Sequence, residues 1–569
     1  MFRSKSRLAP LGVALSATLL WGCDAADKAD LVILNADVHT MEAGNPRAQA
    51  VAVRGERILY VGDDQGAEQW VGAQTNVVNA HGATLLPGLI DTHIHPATSA
   101  VQMDDCTLED RELSLAQIGE VVAECMAGGA ALPAGQIFQV INLNPANFAA
   151  SAADLDKISR QPLALFGSDG HTAWANSAAL ALAGIDRDTA DPATGHVVRD
   201  EAGEPTGQLV DDATQYLQAY LQEDDFDTRV EMTAQALQLM HGVGLTSLME
   251  AAATEEELKV YRALADGDRL TMHTTVALLS RAENTADNLQ NLLRLREQYS
   301  GRESLQINTA KIFVDGVLEY PTQSAALLEP YLDSDGAVSA NRGALYAAEQ
   351  ELNGLVRDLA GKDFNVHLHA IGDRAVRAGL NAFAVARGQQ LHAAKFSMSH
   401  LQLIHPDDLA RFGELDVFAS FQLHWARPEN YSVEAVQPYL GAERSEWMYP
   451  AKSLLDAGGT ITGGSDWNVS TFNPFMAMAA AVCRCNFEEP ERGTLMQAQG
   501  VGNADMLRAY TINAAAMLGR DGETGSLKAG KRADLILVDR DVSTADAASL
   551  RETRVLATVA AGKLVYGTL

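Results

Sequence analysis

The stretch Leu86-Pro87-Gly88-Leu89-Ile90-Asp91-Thr92-His93-Ile94-His95 closes an apolar run, Ala83 to Leu89, with two histidines two residues apart. The run reads as a buried strand. Positions i and i+2 beside a strand share one face, so both imidazoles can reach a single ion. Seven further apolar runs follow: Leu245 to Met249, Met272 to Leu278, Ile307 to Phe313, Asn365 to His369, Lys395 to Ser399, Val417 to Phe421 and Thr460 to Gly463. They alternate with helical stretches such as Arg229 to His241 and Glu255 to Ala265. That alternation predicts an α/β protein with a (β/α)8 TIM-like barrel. A ninth run, Leu163 to Phe166, falls between the first and second strands. Residues 98–230 are therefore assigned to a long insertion that caps the barrel mouth.

In such a barrel, function collects at the C-terminal ends of the strands. His93 and His95 stand past the first strand, and His369 ends the fifth. His400 follows the sixth, and Asp466 follows the turn Gly463-Gly464-Ser465 after the eighth. Lys311 lies inside the fourth strand, where a lone ammonium is costly unless paired or modified. Taken singly, a strand-end histidine is ordinary hydrogen-bonded structure and an Asp after Gly-Gly-Ser is a helix cap. Together they gather imidazole and carboxylate donors, which hold a divalent ion while leaving a position for water. His367 shares a face with His369 and competes with it for the ligand role. His171, Trp174 and Asn176 in the insertion, and His424 and Trp425 after the seventh strand, are candidates for substrate contact. His273 and His241 read as structural, and Asp373 with Arg374 begins the helix after strand five.

The chain resembles the amidohydrolase superfamily through Leu86 to His95. Gly170-His171-Thr172-Ala173-Trp174-Ala175-Asn176-Ser177, Lys311-Ile312-Phe313-Val314-Asp315-Gly316 and His369-Ala370-Ile371-Gly372-Asp373-Arg374-Ala375 narrow it. With Ser399-His400-Leu401-Gln402, Gly464-Ser465-Asp466 and the closing Gly530-Lys531-Arg532-Ala533-Asp534-Leu535, it is similar to the YtcJ-like branch (amidohydrolase family 3), which includes N-substituted formamide deformylase. The resemblance implies that His93, His95, His369, His400 and Asp466 are metal ligands. It also implies that Lys311 is carboxylated and bridges two ions. One or two Zn2+ ions, or Fe2+ or Mn2+, suit such ligands. The expected chemistry is hydrolysis of a C–N amide bond in an N-substituted formamide or N-acyl amine. Water made acidic by the metal attacks, and Asp466 shuttles the proton to the leaving amine. An esterase, lactonase or phosphotriesterase on the same site is the alternative. A lipid-tethered binding protein without chemistry would require a missing ligand, and none is missing. No G-x-S-x-G elbow, P-loop or dinucleotide fingerprint occurs.

Both ends read as β-rich. Leu31 to Leu34, Ala50 to Val53, Arg57 to Val61 and Thr75 to Val78 match Ala533 to Val538, Val555 to Val559 and Leu564 to Tyr566 in character. Residues 24–84 and 520–569 are expected to form one β-sandwich domain from both termini, flanking a hydrolase barrel over 85–519. Residues 1–23 read as a signal peptide: Arg3, Lys5 and Arg7, then an apolar run, Leu11 to Leu20. Leu20-Trp21-Gly22-Cys23 resembles a bacterial lipobox, with Cys23 as the acylated residue. The protein is thus expected to be exported, periplasmic or anchored to the membrane as a lipoprotein. In that compartment Cys106 and Cys125 are a plausible disulfide pair, and Cys483 and Cys485 are closely spaced for an easy bridge. The net charge of −31 over 569 residues argues against nucleic acid and against an electrostatic grip on anionic lipid; the small-molecule substrate is what the hydrolase reading implies.

Overall fold

Eight parallel strands make one sheet in chain order. They are β1 (Leu89–Ile94), β2 (Leu245–Ala253), β3 (His273–Leu279), β4 (Leu305–Phe313), β5 (Asn365–Ala370), β6 (Phe396–His400), β7 (Val417–Phe421) and β8 (Thr460–Gly463). The computed structural model describes residues 28–128, 132–146, 148–222, 224–281 and 285–569. The signal segment and Cys23 lie outside the described residues. Every residue of β1, β6 and β7 is buried, as expected for strands covered on both faces by helices and barrel interior. Thr92 Oγ1 lies 2.9 Å from Ser420 Oγ and 3.1 Å from Thr462 Oγ1, and it donates to Gly463 O at 2.9 Å. These contacts bring β1 against β8 and nearly close the barrel. Amphipathic helices such as Glu255–Asp266 pack outside, that one opened by a Thr254/Glu257 capping box.

The first strand differs from its sequence-based expectation. The run Ala83 to Leu89 is split: Thr84–Pro87 pairs with Leu535–Val538 in another sheet, and the barrel strand starts at Leu89. Gly88 is the joint. Its N–H donates to Asp534 O at 2.9 Å, and a Cβ there would meet Thr246 Oγ1 at 2.1 Å. The second strand runs on to Ala253, which brings Glu250 into it.

The terminal segments meet as two sheets. One has four strands, built from Leu31–Leu34, Ala50–Arg54, Arg57–Gly62 and Asn76–Asn79. The other has six and combines Asp37–His39, Arg47–Ala48 and Thr84–Pro87 with Leu535–Val538, Val555–Ala560 and Lys563–Gly567. Leu31, Ile33, Val51 and Val53 pack with Leu535, Leu537 and Val559 between them. After β1 the chain builds a five-stranded sheet, in which the ninth run appears as Leu163–Gly167. Cys106 is bonded to Cys125 and Cys483 to Cys485. Among the described residues, no helix is long and apolar enough to cross a membrane.

Candidate metal centre

The turn after β8 is shaped to bring Asp466 to β1. A Cβ on Gly464 would lie 2.7 Å from His93 Cβ, so only glycine lets the turn approach so closely. The Asp466 N–H then donates to His93 O at 2.7 Å, and Asp91 accepts from the N–H groups of both His93 and Ser465. Asp466 and His400 both adopt positive φ, 55° and 73°. Non-glycine residues held there are strained and persist where their surroundings fix them, as at functional sites.

So placed, Asp466 Oδ1 lies 3.0 Å from His95 Nε2 and 3.4 Å from His93 Nε2, and Oδ2 lies 3.8 Å from His400 Nδ1. Lys311 Nζ is 3.2 Å from His93 Nε2. The His369 ring stands 4.4 Å from that of His400, between centroids, and its Nε2 is 3.3 Å from Gly316 O. The six residues named from the sequence therefore converge on one floor. His367 does not join them: its Nε2 and Nδ1 are engaged by His93 Nδ1 and Ser397 Oγ, each at 2.7 Å.

Burial, with Lys311 close by, pushes the His93 imidazole down to about 3. Burial likewise holds His369 and His400 well below the usual imidazole range. Partial burial opposes the charged form of His95, but hydrogen bonds to Asp466 and Glu250 outweigh it and raise it to about 9. Burial opposes ionisation of Asp466, yet His93, His95 and His400 keep it well below the ordinary carboxylate range. Lys311, fully buried and opposed only in part by Asp466, falls to about 7. This donor set fits a divalent cation. One donor atom each from His93, His95 and Asp466 lie within 4.8 Å of one another. His400 Nδ1, buried, has no hydrogen-bond partner among the described residues.

The floor opens into a cavity of about 700 Å³ shared by barrel loops and insertion. His171, His424 and Trp425 line it. Trp425 stacks on His400 at 5.6 Å, and His171 stands 5.3 Å from the His369 ring with Nδ1 2.7 Å from Asp211 Oδ1. Burial opposes the charged form of His171, but Asp211 prevails and raises it to about 9. Trp174 and Asn176, expected to contact substrate, are corrected to structural roles. Trp174 is buried in the insertion core against Phe148. Asn176 caps the helix Ser177–Ala183, accepting from Ala179 N and Leu163 N and donating to Ser159 O and Gln161 O.

Sequence reasoning missed Glu250, whose Oε1 is 3.4 Å from His95 Nδ1 while Oε2 accepts from Tyr261 Oη at 2.8 Å. The signal was present: an acid directly after the second apolar run, Leu245 to Met249. Asp315 was missed as well. It accepts from Ile371, Gly372 and Ala326 N–H groups and so fixes the loop after His369.

A family model described as the amidohydrolase family matches residues 76–566. The chain is 29% identical to N-substituted formamide deformylase of Arthrobacter pascens, over 94% of this chain and 98% of that one. It is 25% identical to the putative amidohydrolase YtcJ of Bacillus subtilis, over 93% and 98%. A crystal structure of an uncharacterized metal-dependent hydrolase from Pyrococcus horikoshii shares the fold, with a TM-score of 0.71 at 21% identity over 91% of this chain and 99% of that one.

Proposed function

This chain belongs to the amidohydrolase family, and on that premise we propose that it cleaves the C–N bond of a small amide, an N-substituted formamide or N-acyl amine, with Asp466 as proton carrier. The observation that carries this is the reach of Asp466, a single carboxylate facing His93, His95 and His400 at the base of one cavity. His93, His95, His369, His400 and Asp466 would hold one or two divalent ions, Zn2+ being the natural choice. Lys311 would join them as a carbamate. Its amine adds to CO2, the N–C bond forms as a proton leaves Nζ, and the product is an anion suited to that depth.

An ion held there polarises a carbonyl and makes water acidic near neutral pH. Asp466, kept anionic, takes the proton of the attacking water and delivers it to the departing nitrogen. His171, protonated against Asp211, donates a hydrogen bond to the substrate from the cavity wall, and Trp425 with His424 bounds the opposite side. The insertion excludes bulk water. The similarity to N-substituted formamide deformylase supports formamides as first substrates. The two disulfides support an exported protein, tethered through Cys23 or released into the periplasm.

The test is metal analysis, then a panel of formamides, N-acyl amines, esters and lactones with and without chelator. Amide turnover lost on chelation and restored by Zn2+ is expected. Turnover untouched by complete metal removal overturns the proposal.

A further inference from the structure

Beyond the ion ligands, the same cavity presents a second polar pair. Glu319 lies in the loop after β4, and Gln402 follows β6; both line the cavity and are 6% and 5% exposed. Gln402 Nε2 donates to Glu319 Oε1 at 3.1 Å and to Tyr449 Oη at 2.9 Å. Its amide donors are thus engaged, and two acceptors remain. Glu319 Oε2 and Gln402 Oε1 are buried without a hydrogen-bond partner among the described residues.

A buried carboxylate without a counter-ion is costly, and an acceptor pair of this kind calls for a donor. No Lys or Arg ion pair reaches Glu319 among the described residues. Arg427, on the same cavity wall, is 2.9 Å from Glu429 and 3.2 Å from Glu488. His171 acts on Glu319 only at a distance and is itself bonded to Asp211. Asp110 and Asp169 add further acidic groups to the cavity lining, which favours cations. Burial raises the Glu319 carboxyl to about 7, opposed by its own amide N–H and by Gln402, in keeping with a group that lacks a neighbouring cation.

We propose that Glu319 and Gln402 form a subsite for a protonated amine, so that the substrate carries an ammonium group remote from the bond that is cut. The amide part rests on the function proposed above; the ammonium subsite does not.

Calorimetry on the full, Zn2+-loaded protein tests it, with primary alkylammonium ions from butyl to octyl against the matching alcohols. The ammonium ions should bind about tenfold tighter than the alcohols, and Glu319→Gln should erase that advantage while leaving alcohol binding and metal content unchanged. Should Glu319→Gln not fold, Gln402→Met serves, with the advantage reduced. Ammonium binding no tighter than alcohol binding overturns the proposal. So does a preference that survives Glu319→Gln, which would put the cation on another acidic group of the cavity. Kinetics then compare mono-N-formyl diaminoalkanes with N-formyl alkylamines. A lower KM for the former, lost in Glu319→Gln at little change in kcat, is expected. If neither is hydrolysed while the ammonium still binds through Glu319, the amide reading fails and the subsite stands.

Discussion

The barrel carries two His-x-His pairs, His93/His95 after the start of β1 and His367/His369 in β5, and they are used differently. Alternation gives both members of each pair one face. In β1 both imidazoles reach Asp466. In β5 only His369 lines the cavity, while His367 lies beneath, bridging His93 and Ser397. The strand pairing explains this. His367 stands level with Lys311 and His369 with Phe313 on the neighbouring β4, so His369 lies two residues nearer the C-terminal mouth and His367 two residues deeper. Spacing selects a face; register selects depth.

The largest effect should come from the residue that both members of the first pair share. Asp466→Asn is expected to lower kcat by about a thousandfold, read by steady-state kinetics with metal content measured alongside. Activity retained in that variant would remove Asp466 from proton transfer. The contrast within the second pair is sharper. His369→Gln should abolish activity at any metal concentration. His367→Gln should weaken metal affinity by about ten- to a hundredfold and be rescued by added Zn2+, because it acts by orienting His93. Equal losses in a metal titration of the two variants would erase the distinction.

The insertion repeats the lesson on a smaller scale, since its motif divides between cavity and core. Asn176→Ala should destabilise by about 2 kcal/mol through a lost cap and unpaired backbone groups, with kcat/KM unchanged. Denaturant midpoints and kinetics check this, and a changed KM would return Asn176 to the substrate. The smallest effect is set by pH. His171 is raised from 6.5 to about 9 by Asp211, so the pair's stabilisation is full below pH 6.5 and fades as pH rises through 9. The melting temperatures of the native protein and Asp211→Asn should differ most at pH 6 and converge above pH 9. A constant gap would show that the pair is not an ion pair.

Much of the site was legible in the residues. His93, His95, Lys311, His369, His400 and Asp466 announced themselves by falling at the ends of, or inside, apolar runs, a local pattern that needs no coordinates. Glu250 escaped because its strand is longer than its apolar run. Trp174 and Asn176 misled because a motif preserves residues for packing as well as for chemistry.

By itself the sequence determined the barrel, the strand count and six of the side chains that meet at its mouth, because alternation and apolar runs are properties of neighbours along the chain. Only the tertiary structure decided that Gly88 hands the chain from one sheet to another. It alone decided that His367 lies beneath His93, and that Glu319 and Gln402 face the cavity with acceptors unpaired. Depth, register and closeness between distant segments arise when the strands pack together, and no local pattern encodes them.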